Sequence, residues 1–342
     1  MRILVIGGNG FLGSALEPRL RDSGHEAAVF HRGADAARSG TTAIRGDRNR
    51  LADSWTDLRA FSPDVIVDLI LSSADQAIQL MEVAQQLGAR VVAISSMDVY
   101  RAWGVLQGVE AGPLEKLPVT EDAALRTNRR LYSPETIQGL RSVFSWLNEQ
   151  YDKIGVEEAV MKHNAQATIV RLPMVYGPGD PLHRWFLLLK RVRDGRPAIL
   201  LAEDIAAWRG PRGYVENVAH AIAAAAVHPR AAGRVYNVCD EPALTELDWQ
   251  TEVARLAGWQ GRFVILPRQK MPQHLLVPGN TAQEAVVSSA RIREELGYQE
   301  PVQQEEAIRR TLAWEEKHPP QIIPEQFDYG AEDAALRAAG KD

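Results

Sequence analysis

Short apolar runs alternate with amphipathic stretches through the first half of the chain. The runs are ILVIGG at 3–8, EAAVFHR at 26–32, DVIVDLI at 64–70, RVVAISS at 90–96 and ATIVRLP at 167–173. Nearly continuous, β-rich runs of this kind predict strands covered on both faces, as in a parallel sheet. Between them, SALEPRLRDSG (14–24) and ADQAIQLMEVAQQLG (74–88) place apolar residues at helical spacing, and each ends on a glycine suited to cap a helix. Repeated strand–helix order implies an α/β fold with a doubly wound (Rossmann) parallel sheet.

The pattern loosens between Arg101 and Gln150, which reads as a long loop before the next helix, and long ordered loops are more often functional than idle. From Gly177 onward proline and glycine interrupt the chain, leaving an alanine-rich helix at 216–229 (ENVAHAIAAAAVHP) and a strand at 233–240 (GRVYNVCD) in an otherwise irregular half. The final DYGAEDAALRAAGKD is expected to be a peripheral arm.

Composition narrows the classes. With 342 residues, 45% of them hydrophobic, the chain can bury a substantial core. Its net charge of −5 and scattered Lys and Arg give no footprint for a phosphate backbone, so no nucleic-acid partner is expected. Cys239 is the single cysteine; it excludes an internal disulfide and fits a reducing compartment, with the cytoplasm as the expectation. No apolar stretch reaches the roughly 18 residues of a membrane span. The eight histidines show no metal-ligand spacing, so no metal is expected, and no G-x-S-x-G elbow is present.

The first strand runs into Gly7-Gly8-Asn9-Gly10-Phe11-Leu12-Gly13, which opens a helix. Gly7 permits a tight turn, Gly10 lets backbone N–H groups approach a pyrophosphate at the helix N-terminus, and Gly13 allows close helix–strand packing. This context points to dinucleotide binding, with the loop residues Phe11 and Leu12 included in the site. An NAD site usually places Asp or Glu at the end of the second strand for the ribose hydroxyls. Here that position holds His31 and Arg32, and a guanidinium suits a 2′-phosphate, so NADP is favoured over NAD. In RGDRNR (45–50), Asp47 could accept from the adenine amino group and Arg48 could add positive charge near the phosphate; both could equally be solvated loop residues. Residues 1–176 are therefore expected to form a dinucleotide-binding domain. Residues 177–342 would mainly form a smaller substrate-binding cap, with elements near 214–240 returning to the first domain.

GGNGFLG (7–13), GD (46–47), ISSMDVY (94–100), RLPMVYGPGD (171–180), RGYVENVAHAI (212–222), YNVCD (236–240) and SARIREELGY (289–298), in this order and spacing, resemble the extended short-chain dehydrogenases, the NAD-dependent epimerase/dehydratase family. The resemblance implies a serine after the fourth strand, a tyrosine, and a lysine four residues beyond it, acting with a nicotinamide cofactor on a hydroxyl or carbonyl, such as that of a nucleotide sugar. Carried over by position, Ser96 would orient the substrate oxygen and Lys153 would hold the nicotinamide ribose. Pro173, Met174 and Val175 would present backbone groups to the nicotinamide amide, and Arg209 and Arg212 match a region that meets a sugar or diphosphate. The family also implies a small-molecule substrate and a homodimer.

The tyrosine departs from the pattern. Glu149 occupies the position four before Lys153, while Tyr151 lies two before it. At about 100° per residue, a separation of four brings side chains within roughly 40°, and a separation of two sets them about 200° apart. Tyr151 and Lys153 cannot both face a cofactor from one regular helix. Either the helix starts after Tyr151, or Glu149 is the acid/base, or a tyrosine from elsewhere (Tyr100, Tyr132 or Tyr176) serves, or the chemistry is lost. Glu149 could also simply form an i,i+4 ion pair with Lys153. YDKIGVEEAV is similar to a Tyr-Asp-Lys variant of the family, and the candidate catalytic group is Ser96, Tyr151 and Lys153. The rival reading is a non-catalytic dinucleotide-binding regulator or scaffold.

Overall fold

The computed structural model describes residues 1–33 and 41–341. Its strands are β1 (Arg2–Ile6), β2 (Glu26–His31), β3 (Thr42–Arg45), β4 (Val65–Asp68), β5 (Arg90–Ser96), β6 (Thr168–Leu172), β7 (Met174–Tyr176), β8 (Ala198–Ala202), β9 (Arg212–Tyr214), β10 (Val235–Asn237) and β11 (Arg262–Leu266). Seven of them form one sheet in the order β10-β6-β5-β4-β1-β2-β3, and every pairing in it is parallel. The order reverses between β1 and β4, and an open α/β sheet receives its ligand in the crevice at the carboxyl ends of such a pair.

Alternation along each strand splits the core into two layers. Ile3, Val5, Val92 and Ile94 pack with Leu16 and Leu20 of the helix Gly13–Asp22 and with Val218 and Ile222 of the helix Val215–Val227. Leu4, Ile6, Val91 and Ala93 pack on the opposite face with Leu80 and Met81 of the helix Ala74–Leu87 and with Val156 and Val160 of the helix Lys153–His163. Both faces are thus buried, which is why the strands read as unbroken apolar runs. The helix Ala74–Leu87 starts where the Ser73 side chain accepts from Gln76 N–H and ends at Gly88, whose φ of +70° favours glycine.

Residues 101–150 are more ordered than a loop: they contain the helices Arg101–Leu106 and Pro134–Val143, the second capped by Ser133. The C-terminal segment is not an arm. It forms the helix Tyr329–Ala338, which docks through Leu336 near β8 and β11 and through a buried Glu332, paired with Arg191 at 2.6 Å and His274 at 3.1 Å. The sequence pattern misses this because one buried leucine and one buried acid leave little periodicity in an alanine-rich stretch.

One buried ion pair ties the helix Lys153–His163 to the sheet. The Glu157 carboxylate accepts from Arg171 Nε (2.9 Å), Arg171 Nη2 (2.7 Å) and Ser95 Oγ (2.6 Å). Arg171 Nη1 then donates to the Tyr100 hydroxyl (2.8 Å), which donates to Asn237 Oδ1 (2.6 Å), so β5, β6, β10 and the helix share one network. Removing one partner strands the other charge in a dry interior, at a cost of about 3–5 kcal/mol. Glu157→Ala should lower the denaturation midpoint by that free energy, and Glu157→Gln, which keeps an acceptor for Arg171, by clearly less; chemical unfolding followed by circular dichroism checks both.

Candidate active site

A cleft of about 740 Å³ opens at the carboxyl edge of the sheet, beside the switch between β1 and β4. Its floor is the glycine turn. Gly7 has φ +83°, its N–H donates to Phe30 O (3.1 Å), and Gly10 N–H returns to Gly7 O (3.0 Å). A Cβ on Gly13 would lie 2.4 Å from Gly8 Cα and 2.5 Å from Gly7 O, so the helix can start this close to the turn only with glycine there. Gly7, Gly10, Phe11, Leu12 and Gly13 all line the cleft, with the helix N-terminus presented to it.

The end beyond β2 holds His31, Arg32, Gly46 and Arg48. Arg32 is exposed, and its guanidinium donates to the Ser145 carbonyl and hydroxyl at 3.4 Å. Arg48 is buried, with Nε 2.5 Å from Asp68 Oδ2 and Nη2 donating to Gln76 O (2.8 Å); it anchors the end of β4 while lining the cleft. Asp47 is not among the lining residues. Its carboxylate accepts from Asn49 N–H at 3.0 Å and caps the 3-10 turn Arg48–Ser54, so it is engaged by its own backbone.

At the other end stand Ser96, Tyr151 and Lys153 with Pro173, Met174 and Val175. The helix begins at Lys153, and Asp152 before it is extended (φ −152°, ψ 95°) with its N–H donating to Ser72 O at 2.9 Å. Tyr151 therefore enters from outside the helix, which removes the angular conflict posed by its spacing. Lys153 Nζ donates to Ile94 O (2.9 Å) and to Leu71 O, capping the ends of β5 and β4. Of three ammonium donors, one is left for the cleft. Burial pulls the Lys153 pKa down to about 8, against the opposing charges of Asp98, Asp68 and Glu157.

Glu149 is exposed and bonds Arg141, so it neither faces the cleft nor pairs with Lys153. Tyr100 is buried in the Arg171 network, and Tyr176 sits in an aromatic cluster with Trp185 and Trp249; neither lines the cleft. Tyr132 does. Arg209 and Arg212 also lie outside it, committed to Glu284 and Glu246.

The residue that sequence reasoning passed over is Asp98. It is 5% exposed and lines the cleft, and Oδ2 accepts from the Tyr151 hydroxyl at 2.7 Å and from the Tyr132 hydroxyl at 3.4 Å. Its signal was an acid between Met97 and Val99 in an otherwise apolar motif, two residues after Ser96. Burial raises the Asp98 pKa from its ordinary value, and burial with the neighbouring Asp98 charge raises that of Tyr151 well above a free phenol. Leu140, Val143, Phe144, Trp146 and Leu147, also unforeseen, form an apolar wall over the cleft.

The lining fits a dinucleotide. The glycine floor leaves room for backbone to meet phosphate, both ring nitrogens of His31 and Nη1 of Arg48 are buried without hydrogen-bond partners, and Lys153 retains a donor.

Comparisons with known proteins agree. A sequence profile of the NAD dependent epimerase/dehydratase family matches residues 3–105 and 143–239. The 2'-dehydrokanamycin reductase of Streptomyces kanamyceticus is 30% identical over 220 residues, 61% of this chain and 53% of that protein. An uncharacterized protein y4nL of Sinorhizobium fredii (strain NBRC 101917 / NGR234) is 40% identical over 82 residues, 23% of this chain and 21% of its own. The chain thus spans about half the length of the first of these curated relatives and about a fifth of the second. Among solved structures, dTDP-glucose 4,6-dehydratase from Bacillus anthracis in complex with NAD has a TM-score of 0.67 at 16% identity, covering 95% of this chain and 99% of that one. UDP-glucose 4-epimerase from Thermotoga maritima with UDP-glucose has a TM-score of 0.66 at 16% identity, covering 93% and 99%. At these identities the structural likeness establishes the fold.

Gly13→Ala is expected to destabilise the protein by about 1–3 kcal/mol, the cost of overpacking where the obstacle is backbone. It should also weaken NADH binding; thermal melting and NADH fluorescence read the two effects.

Proposed function

Because the chain belongs to the NAD-dependent epimerase/dehydratase family, we propose that it is an NAD(P)-dependent oxidoreductase that interconverts a hydroxyl and a carbonyl on a sugar-like ring. The observation that carries this reading is the convergence of Tyr151, Ser96 and Lys153 on the cleft end bordered by Pro173 and Val175, despite the short Tyr–Lys spacing. The dinucleotide, when bound, supplies or accepts a hydride. Tyr151, a neutral phenol at neutral pH, gives its proton to a carbonyl oxygen as reduction proceeds. Ser96 Oγ, a hydrogen-bonding neighbour of the Tyr151 hydroxyl, holds the same oxygen in line. Lys153 offers its third donor to the nicotinamide ribose, and its charge favours negative charge developing nearby.

The substrate end is walled by Trp103, Tyr132, Leu140, Pro181, Leu182 and Arg184. Arg184 is engaged by Asp180 at 2.6 Å, and the two arginines that would suit a diphosphate are paired with glutamates elsewhere. These commitments favour a ring without a diphosphate over the nucleotide sugars of the structural neighbours, and the aminoglycoside reductase relative is consistent with that class. Residues 177–342, apart from the elements that return to the sheet, serve as the substrate cap. A diffusible substrate, a cytoplasmic setting in keeping with the single buried Cys239, and a homodimer complete the proposal. Among the described residues no helix is long and apolar enough to cross a membrane.

NADP is the preferred cofactor in this reading, because Arg32 stands exposed at the end of β2 and, among the described residues, makes long contacts to Ser145. A charge-assisted contact to a 2′-phosphate is worth about 1.5–3 kcal/mol. Arg32→Ala should therefore weaken NADPH binding by roughly 10- to 100-fold and leave NADH nearly unchanged, as calorimetry would show. Equal losses for both nucleotides would remove the NADP preference.

Tyr151→Phe should bind NADPH like the wild type and lose about 10²- to 10⁴-fold in turnover. The measurement is NADPH oxidation with 2'-dehydrokanamycin, run beside NADP and NAD reduction with UDP-glucose. Tight nucleotide binding with no turnover of any ring alcohol or ketone would instead favour the non-catalytic regulator.

A further inference from the structure

Tyr151 as described can give a proton to a carbonyl, but the reverse reaction requires it to receive one, and a tyrosinate waiting beside the Asp98 carboxylate is disfavoured by both burial and charge. The surroundings of Asp98 resolve this. Asp98 sits on the 3-10 turn Met97–Val99 that follows β5, with its N–H donating to Ser96 Oγ at 3.1 Å. Four titratable or charged groups face its carboxyl: Tyr151, Tyr132, Arg126 and Lys153. None forms a close ion pair with it. The nearest guanidinium nitrogen of Arg126 is 3.9 Å from Oδ1, since Arg126 is spent on the Asp98 and Asn128 carbonyls, and two of the three Lys153 ammonium donors go to Ile94 and Leu71. Oδ1 itself is buried without a hydrogen-bond partner. A purely structural carboxylate at this depth would be expected to hold a bidentate cation, as Glu157 does.

We propose that Asp98 is the far end of a proton relay through Tyr151. In oxidation the substrate O–H and C–H bonds break. The hydride leaves for the nicotinamide ring, the hydroxyl proton passes to Tyr151 Oη as the phenolic proton passes to Asp98 Oδ2, and the C=O bond forms. Tyr151 remains a phenol throughout, Asp98 ends as a carboxylic acid, and it returns its proton to solvent before the next turnover. Reduction runs the same transfers backwards, drawing on protonated Asp98. The relay rests on the reading of Tyr151 as the proton carrier. Asp98 acts through Tyr151, as the group that sets its proton supply.

The pH dependence follows from the direction of the Asp98 shift. Its pKa is raised from the ordinary carboxylate value by burial, so the protonated form persists to higher pH than in an ordinary aspartate, and the oxidative reaction falls as pH drops through that raised value.

The first test needs no substrate. With [γ-13C]aspartate in the ligand-free full chain, the resonance lost in Asp98→Asn identifies Asp98. It should titrate above the ordinary aspartate value, and in Tyr151→Phe it should titrate higher still, because the donor to its ionised form is gone. Titration at or below the ordinary value near 3.9, or indifference to Tyr151→Phe, would overturn the relay. The second test is the pH profile of kcat/KM for oxidation of kanamycin with NADP. Asp98→Asn should lose at least about tenfold at pH 7 and move the acidic limb to the alkaline side, with NADPH binding unchanged. An unmoved limb in Asp98→Asn, with Tyr151→Phe inactive, would overturn the relay and leave Tyr151 in its role. Full activity in Tyr151→Phe would instead overturn the reading of Tyr151 on which the relay stands.

Discussion

The geometry of the cleft is indexed to one buried ion pair, Glu157 with Arg171. Glu157 is one helical turn past Lys153, so the two side chains share a face, and clamping one to β6 turns the other inward. Both are almost wholly buried, Glu157 against a guanidinium and Lys153 against the carbonyls of β4 and β5. Without that clamp an ammonium at the end of two parallel strands would be free to swing to solvent. With it, the helix Lys153–His163 has one rotation about its axis, and the chain entering the helix has one place to come from.

That fixed rotation explains the departure at Tyr151. A tyrosine within the helix two positions before Lys153 would point away from the cleft. The backbone instead stays extended at Asp152, held to the loop after β4 by Asp152 N–H to Ser72 O and by Asn148 N–H to Ser72 Oγ at 3.0 Å. Sequence spacing defined this as one of several solutions without choosing among them, because the choice depends on Ser72, which lies about 80 positions away and carries no motif. The strands and the glycine turn were legible because they follow from local periodicity and from conformations that only glycine supplies, whereas Ser96 and Lys153 were reached through the family resemblance. Asp47, Arg209 and Arg212 lie outside the cleft lining for the opposite reason. A polar side chain on a loop is claimed by whichever partner the tertiary structure brings first: for Asp47 its own turn, for the arginines Glu284 and Glu246.

Burial acts on the three ionisable groups of the site in a consistent sense. It lowers Lys153 and raises Asp98 and Tyr151, so each is moved toward its neutral form. The charges of Lys153 and Asp98 oppose that trend for one another, and so the protonation of either depends on the other. A site of this kind keeps its tyrosine a donor and stores titratable capacity in a carboxyl behind it. The usual longer Tyr–Lys spacing would place the phenol on the helix itself; the shorter spacing places it within 2.7 Å of an acid on the neighbouring turn. The change in spacing and the presence of Asp98 are therefore two sides of one arrangement.

The stretch that reads as a loop between 101 and 150 contributes both ends of the same cover. Trp103 and Tyr132 stand over the substrate end, and Phe144, Trp146 and Leu147 flank the dinucleotide side, with Ser145 touching Arg32. Covering a cleft with apolar side chains lowers the local dielectric, which strengthens the interactions among Lys153, Asp98 and Tyr151. The contacts of Arg32 to Ser145 are long, at 3.4 Å, so they add little to the stability of the wall. The cover over both ends of the cleft is in this way carried by one continuous segment, whose sequence shows neither a glycine fingerprint nor a strong period.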